Sequence, residues 1–172
     1  MNRTRNSLPP PVRKQAITAL YQTVVELFDL FTCIKQAHGN MRGVTFIRLD
    51  ELASHIMGHI DRVAERATAL GGMADDAFRE GVRLSHLKKK KETPSSFNGA
   101  FDWMQELADL HASVGEHVCQ AVKQLIEIQD FGSADLLADI LRTLDLHLSI
   151  LETHLNQQHL KTRSSPCFTR SL

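Results

Sequence analysis

Apolar residues recur every three or four positions over four long stretches of this chain, and short segments rich in glycine, proline and polar residues separate the stretches. This period is typical of amphipathic helices that bury one face. We therefore predict helices over about residues 12–38, 47–70, 97–129 and 134–158. The apolar stripe of the first helix consists of Leu20, Val24, Leu27, Phe28, Phe31 and Ile34.

The segments between the helices indicate where each helix ends. Gly71 and Gly72 follow the second helix, and glycine is favoured just beyond a helix end. Ser95 or Ser96 is a candidate N-cap for the third helix, and a turn is predicted at residues 130–133. Two long helices, a long connection with room for a short helix, and two more long helices predict an all-α four-helix bundle.

The most informative polar pattern lies on the second predicted helix. Asp61 and Glu65 are one turn apart, so both project from one face and can bind the same cation. Asp50 stands eleven residues before Asp61, which is about three turns, and lies within roughly 60° of both Asp61 and Glu65 around the helix axis. His38 ends the first helix. Three oxygen ligands on one helix and an imidazole on its neighbour suit an iron site in a helical bundle.

The alternative is that these carboxylates have only a structural role. Asp61 and Glu65 would then pair with Arg62, Arg66 or solvent, as most helical acids do. The spacing alone favours this simpler interpretation, because helices contain many such pairs. The residues around the site change that balance.

Those residues resemble a known family. Segments in the first half of the chain and, more loosely, in the second half look like those of Dps proteins, the mini-ferritins of bacteria. The resemblance covers roughly residues 12–157. Its motifs are Lys35-Gln-Ala-His38-Gly-Asn-Met-Arg-Gly43, Phe46-Ile47, His59-Ile-Asp61-Arg-Val-Ala-Glu65-Arg-Ala, Leu70-Gly-Gly72, Glu106-Leu-Ala-Asp109, Ser133-Ala-Asp-Leu-Leu137, Leu144-Asp145 and Leu151-Glu152.

The resemblance implies a ferritin-like subunit that assembles with identical copies into a hollow shell, typically a dodecamer. It implies a ferroxidase, which oxidises Fe(II) with peroxide or oxygen and stores ferric iron inside the shell. His38 matches the first histidine of the family's iron centre, and Asp61 and Glu65 match its aspartate and glutamate across a two-fold interface. Asp50 matches an additional aspartate. The resemblance also implies a cytoplasmic, nucleoid-associated protein that binds double-stranded DNA without sequence preference.

The chain departs from the family pattern at two places. Gly39 follows His38 where the family usually has tryptophan, so an aromatic wall beside the iron is missing. The stretch between Phe46 and Asp50 is shorter by about one helical turn, which preserves helix phase, and the missing piece carries the family's second histidine. On another placement of the gap, Asp50 takes that histidine's place. The alternative function is therefore a Dps-shaped DNA-compacting or metal-binding assembly protein with a degraded ferroxidase centre.

Composition adds limits on the class of protein. The chain has 172 residues and zero formal net charge, which fits one globular domain. Cys33, Cys119 and Cys167 lack metal-binding spacing, so we expect a reduced, cytoplasmic setting. No run of eighteen apolar residues and no secretory signal is recognisable in the sequence, so we expect no membrane partner. Without a glycine-rich phosphate loop, we expect no organic cofactor either.

Basic residues are concentrated at both ends of the chain. We expect a flexible basic arm over residues 1–11, the bundle over 12–158 and a basic tail over 159–172. A solvated arm that only aids solubility is the alternative to DNA binding. The N-terminal candidates for contacts to DNA phosphates are Arg3, Arg5, Arg13 and Lys14, and the tail adds Lys161, Arg163 and Arg170.

His55 and His59 are also one turn apart and could hold a metal such as zinc. They point roughly 140° to 180° away from Asp50 on an ideal helix, and no acidic or cysteine partner lies in sequence range. We therefore do not expect a dedicated metal site at His55 and His59, and we interpret the histidines farther along the chain, among them His111 and His147, as ordinary amphipathic positions.

Overall fold

The structure is a computed structural model, and it describes residues 2–41, 48–73 and 99–163, as backbone only beyond residue 157. These residues form four long helices and no strand, which confirms the all-α prediction. The helices are α1 (Pro10–Asn40), α2 (Leu49–Ala69), α3 (Ala100–Glu127) and α4 (Phe131–Arg163).

The four helices coincide with the four predicted stretches, with ends that differ by a few residues. The predicted short helix in the middle connection and the N-cap at Ser95 or Ser96 lie outside the described residues. The tail beyond residue 163 lies outside them as well.

The helices pack in the order that a four-helix bundle requires. α1 packs along α2 and α3, and α3 packs along α4. Of the neighbouring pairs, α2 and α4 contact each other least closely. All four helices contribute aliphatic side chains to one core, and burying each of these contributes about 1.5–3 kcal/mol. The fully buried ones include Leu20, Leu27, Leu30, Ile34, Ile56, Ile60, Met104, Leu107, Leu137 and Ile140.

α1 is long and apolar enough to cross a membrane, judged by length and composition alone. More than half of its most apolar window is buried inside the bundle. Its contacts with both α2 and α3 account for its apolar character, because a helix covered on several sides is apolar on several sides.

The end of α2 is closed by glycine, as the sequence predicts. Gly71 adopts φ 97°, a left-handed conformation that favours glycine. The amide of Gly71 donates to the Thr68 carbonyl, and the amide of Gly72 donates to the Ala67 carbonyl, both at 2.9 Å. A Cβ atom at Gly72 would lie 2.6 Å from the hydroxyl oxygen of Tyr21 and 2.8 Å from the Ala67 oxygen. The second glycine is therefore required by close packing.

α4 begins at Phe131 rather than at residue 134, so the predicted turn at 130–133 is mostly helical. The cause is Asp130, whose Oδ1 accepts the backbone amide of Ser133 at 3.1 Å and caps the helix. Arg66 on α2 donates to the same oxygen at 2.7 Å. The partner from another helix explains why sequence pattern alone placed this start too late.

The N-terminal segment lies against the bundle. Pro9 is extended, with φ −58° and ψ 147°, whereas Pro10 and Pro11 form the first turn of α1, where proline is well tolerated. The three prolines are therefore not extended along their whole length, and the segment before them lies against the bundle. The backbone amide of Asn2 donates to the Gly71 carbonyl at 2.6 Å, which joins the segment to the end of α2.

Candidate metal centre

An acidic face runs along α2. Asp50, Asp61 and Glu65 all lie in this helix, and all three side chains are exposed. Neither the Asp61 nor the Glu65 side chain forms a hydrogen bond or an ion pair with any other residue that the structure describes. These two carboxylates, one turn apart, are therefore open to solvent and to a cation.

The arginines beside these acids have partners elsewhere. Arg62 Nη1 donates to Asp139 on α4 at 2.7 Å, and this hydrogen bond is the main reason that the pKa of Asp139 is lowered. Arg66 Nη2 donates to Asp130 at 2.7 Å. Among the described residues, these arginines therefore do not pair with Asp61 or Glu65, as the structural alternative requires.

His38 and Asp50 join the end of α1 to the start of α2. His38 Nδ1 lies 3.1 Å from Asp50 Oδ1, and the two side chains are 49% and 67% exposed. Two donor atoms bound to one metal ion lie roughly 3 Å apart, so this pair has a spacing that a cation can bridge. Lys35 Nζ lies 3.5 Å from the same oxygen, and an exposed ion pair of this kind contributes only about 0–1 kcal/mol.

These groups do not form a complete metal site within a single chain. Asp50 and Asp61 are eleven residues apart in α2, which is roughly 16 Å along the axis, so one ion cannot contact both. Within the described ranges, no group of three or more His, Cys, Asp or Glu side chains is arranged to hold a metal ion. The chain presents two incomplete donor sets: the His38/Asp50 set and the Asp61/Glu65 set.

Known proteins share this bundle. The family model for the ferritin-like domain matches residues 17–160. The "DNA protection during starvation protein" of Agrobacterium fabrum is 29% identical over 161 residues, covering 91% of this chain and 98% of the relative. The "DNA protection during starvation protein 2" of Bacillus anthracis is 28% identical over 152 residues, covering 85% and 100%. The structure of DpsC from Streptomyces coelicolor has a TM-score of 0.78 at 26% identity, covering 90% and 91%. The chain belongs to the Dps family of ferritin-like proteins.

Membership in the Dps family associates the chain with iron storage and DNA protection in general. Proteins of this family are generally ferroxidases. The bundle and the acidic face of α2 are compatible with that chemistry.

The basic residues of this Dps protein divide into two groups. Arg3, Arg5 and Lys14 are exposed, as a DNA-binding surface requires. Arg13 is only 7% exposed, and its Nη1 donates to the Leu70 carbonyl at 3.2 Å. Arg13 thus ties α1 to the end of α2, and its burial does not fit the expected DNA contact. Outside the described side chains lie residues 88–91, Lys161, Arg163 and Arg170.

Sequence reasoning missed one group of chemically active side chains in this Dps protein. His55, His59, His111 and His147 come from three helices and lie close together in the bundle. A partial signal was present, because His111 and His147 fall on the apolar stripes of their helices. Periodicity identifies such positions as buried, but it does not say which buried positions of different helices meet.

Proposed function

We propose that this Dps protein is a ferroxidase that oxidises Fe(II) with peroxide or oxygen at an interface between two identical chains. The ferric product is stored inside a closed homo-oligomeric shell, a dodecamer as is usual for the family. One chain supplies His38 and Asp50, and the other supplies Asp61 and Glu65. The observation that supports this proposal is that the Asp61 and Glu65 side chains are exposed and unpaired among the described residues. They also lie at a distance from the His38/Asp50 set of the same chain.

A two-fold axis is the simplest symmetry that completes both donor sets. An axis perpendicular to α2 sets two copies of this helix antiparallel, so that Asp50 of one helix faces Asp61 and Glu65 of the other. The axis then passes close to Met57, midway between the two sets. Gly58 beside it is exposed and has nothing within 4 Å of the position of a Cβ atom, which leaves room for a second helix. Each pair of chains would carry two equivalent sites.

The donor set suits iron oxidation, with Fe(II) as the substrate. The carboxylates anchor the ion and partly neutralise it, while the His38 imidazole is a neutral donor that leaves positions for the oxidant. Each Fe(II) gives up one electron, and hydrogen peroxide takes two electrons and two protons to form two water molecules. The two reagents of hydroxyl-radical chemistry are consumed together, which agrees with a role in DNA protection.

The departures from the family pattern change the site without removing it. Asp50 provides an anionic oxygen donor, which is harder than the imidazole it replaces and favours the ferric product. Gly39 has nothing within 4 Å of the position of a Cβ atom, so the wall beside His38 is open. We expect a more water-accessible site from which ferric iron moves easily into the shell.

Exposed basic residues support non-specific binding of double-stranded DNA by a cytoplasmic, nucleoid-associated protein. Arg3, Arg5 and Lys14 can each contact a phosphate, and such contacts do not depend on base sequence. One chain offers few contacts, but a shell of many chains raises their effective concentration along a DNA molecule.

Complementation between two inactive variants tests the shared site. His38→Ala keeps an intact Asp61/Glu65 set, and the double variant Asp61→Ala/Glu65→Ala keeps the other set. Each variant alone should lose most peroxide-dependent Fe(II) oxidation, because every site lacks at least one donor that it needs. Co-expression re-forms one complete site in each mixed pair of chains, so random mixing should restore about a quarter of the wild-type sites.

Asp135→Ala, which removes an exposed acid from α4, is the matched control and should leave the rate unchanged. The decisive contrary results are wild-type oxidation no faster than the protein-free reaction, or mixed shells that form normally and recover no activity. Light scattering on each preparation establishes that the shells have assembled.

A second candidate function is a Dps-shaped assembly that compacts DNA or holds metal without oxidising it. The observation in its favour is the Lys35 ammonium 3.5 Å from Asp50 Oδ1, where it competes with a metal ion. Under this alternative, Asp61→Ala/Glu65→Ala leaves iron uptake unchanged while assembly and DNA retention persist.

A further inference from the structure

Four histidines from three helices form a group inside the bundle, here termed the histidine cluster: His55 and His59 on α2, His111 on α3 and His147 on α4. His55 Nδ1 lies 3.1 Å from His147 Nε2, with ring centroids 5.4 Å apart and ring planes at 17°. The rings of His111 and His147 have centroids 5.6 Å apart and planes at 71°. His59 is one turn from His55 and is close enough to influence the charge state of His147. His147 is therefore the centre of the cluster.

Most of the cluster is enclosed by the bundle. His111 and His147 are each 1% exposed and His59 is 8% exposed, while His55 stands at the exposed rim. His59 Nδ1, His147 Nδ1 and His111 Nε2 are buried and have no hydrogen-bond partner among the described residues. Leaving a buried polar atom unpaired costs about 1–3 kcal/mol, so such atoms are uncommon. Three of them in one place indicate that the described residues do not supply a ligand that the cluster needs.

The protonation of the rings prepares them to bind a cation. His111 Nδ1 donates to the Leu107 carbonyl at 2.7 Å, which fixes the proton on that nitrogen and leaves a lone pair on Nε2. Histidines that bind metals usually donate their second ring nitrogen to such a carbonyl or to a carboxylate. Burial lowers the pKa of His111, and burial together with the neighbouring histidines lowers that of His147 to about 4. Both rings are therefore neutral at pH 7.

We propose that the histidine cluster binds one divalent transition-metal ion of the Zn(II) class, at a site separate from the interfacial iron centre. Imidazole suits Zn(II), Co(II), Ni(II) and Cu(II), whereas Mg(II) and Ca(II) take oxygen ligands. Nitrogen atoms bound to one tetrahedral Zn(II) lie roughly 3.3 Å apart. The 3.1 Å between His55 Nδ1 and His147 Nε2 is close to that value.

Binding requires the cluster to rearrange slightly. As the rings stand, no three donors of the described residues surround one point. The proton now shared by His55 and His147 moves to the far nitrogen of its ring, and the metal takes its place between them. His59 Nδ1 has no hydrogen-bond partner among the described residues. The His59 ring can therefore turn toward the metal without losing a hydrogen bond at this nitrogen.

A groove connects the cluster to the surface. It lies between α2 and α4, where these helices contact each other least closely, and has a volume of about 400 Å³. The charge of Arg62 at this groove is offset by Asp139 at 2.7 Å, which reduces its repulsion of an incoming cation. The residues that line the groove are Ser54, His55, Gly58, His59, Arg62, Thr143 and Leu146.

Titration of the assembled, metal-free protein with Co(II) tests the site, because the visible absorption of Co(II) reports tetrahedral nitrogen coordination. We expect one such Co(II) per chain, its displacement by Zn(II), and a higher unfolding temperature with Zn(II) present. His147→Gln should weaken Co(II) binding by about tenfold or more. His55→Gln should also weaken Co(II) binding. Because His55 lies at the exposed rim, this variant still tests the proposal if His147→Gln does not fold.

Two histidines outside the cluster provide matched controls. His154→Gln on α4 and His117→Gln on α3 should leave the titration unchanged. Asp61→Ala/Glu65→Ala should keep the Co(II) signal while losing iron oxidation, so failure of one site is distinguishable from failure of the other. Absence of the signal, or a signal unaffected by both cluster variants, would overturn the proposal and assign the unpaired nitrogens to buried water.

Discussion

The surroundings of each histidine ring determine its chemistry in this chain. His38 lies at the surface, 3.1 Å from a carboxylate oxygen of Asp50. His117 is also exposed, 3.5 Å from Glu26. His147 is enclosed by the bundle, and its burial first, then the charges of neighbouring histidines, lower its pKa to about 4. The same residue type is thus a surface donor at one place and a neutral buried base at another.

We expect the metal-free protein to lose stability as the pH falls from about 6.5 toward about 4. Above this window His147 is neutral in the folded and the unfolded chain, so it makes no difference to stability. Inside the window the unfolded chain binds a proton that the buried ring does not bind, so the free energy of unfolding decreases. For His147 alone the decrease is on the order of 3 kcal/mol. Urea unfolding in EDTA across this pH range measures it.

His147→Gln should make this pH dependence less steep, because the variant has no ring to protonate at that position, while burial still lowers the pKa values of His59 and His111. His154→Gln removes a histidine from the same helix outside the cluster and should reproduce the wild-type curve. Asp139, whose pKa is lowered by Arg62, adds to the slope only near the acid end of the window, where the unfolded chain begins to protonate this carboxyl, and it does so in the wild type and in both variants. A slope as steep in His147→Gln as in the wild type would contradict this assignment.

At the scale of helices, the turn between α3 and α4 shows how individual side chains place an element's end. Gln129 has φ 62°, a left-handed conformation that is unfavourable for a residue with a side chain. Asp130 follows it, is 1% exposed, and caps α4 while accepting a hydrogen bond from Arg66. Gln129 therefore destabilises this turn, whereas Asp130 stabilises it.

Substitutions at these two positions should have opposite signs. Asp130→Ala should lower the free energy of unfolding by roughly 2–3 kcal/mol, because α4 loses its cap and Arg66 loses its partner. Gln129→Gly should raise it by up to about 1 kcal/mol, because glycine adopts this conformation without strain. Asp135→Ala, an exposed control on α4, should stay within about 0.5 kcal/mol. Urea unfolding compares the three, and equal losses at Asp130 and Asp135 would refute the capping role.

The same turn marks the limit of what the sequence could predict. The four helices were predictable because each has a stripe of period 3.6, and the end of α2 was predictable because Gly71 signals it locally. The start of α4 depends on Arg66 from another helix, and the histidine cluster depends on the register of three helices. The resemblance singled out Asp61 and Glu65, while only the structure shows that the neighbouring arginines have other partners.

At the scale of the whole molecule, the two proposed metal sites differ in their dependence on assembly. The iron site needs two chains, because His38 and Asp50 are remote from Asp61 and Glu65 of the same chain. The histidine cluster lies within one chain. Conditions that separate the chains without unfolding them should therefore abolish iron oxidation and leave Co(II) binding intact. Measuring both activities on the same fractions from size-exclusion chromatography checks this, and joint loss would contradict it.

Of the proposed properties, DNA binding depends most on the assembled surface. Arg3 and Arg5 are exposed near the N-terminus, whereas the burial of Arg13 removes it from the set of phosphate contacts. We expect the assembled protein to retain duplex DNA at about 50 mM salt and to release it as salt rises, with a slope that falls by about 0.9 per phosphate contact removed. Arg3→Gln/Arg5→Gln should weaken retention in a gel-shift assay and leave iron oxidation unchanged.

The control for this prediction must remove the same charge from another face. Lys123→Gln/Arg142→Gln takes two exposed positive charges from α3 and α4, so it separates an effect of net charge from an effect of position. If the N-terminal residues contact DNA, the control loses much less affinity than Arg3→Gln/Arg5→Gln and keeps the wild-type salt slope. Equal losses in the two double variants would show that DNA responds only to overall charge. No retention by the wild type at about 50 mM salt, where phosphate contacts are still strong, would remove DNA from the proposed function.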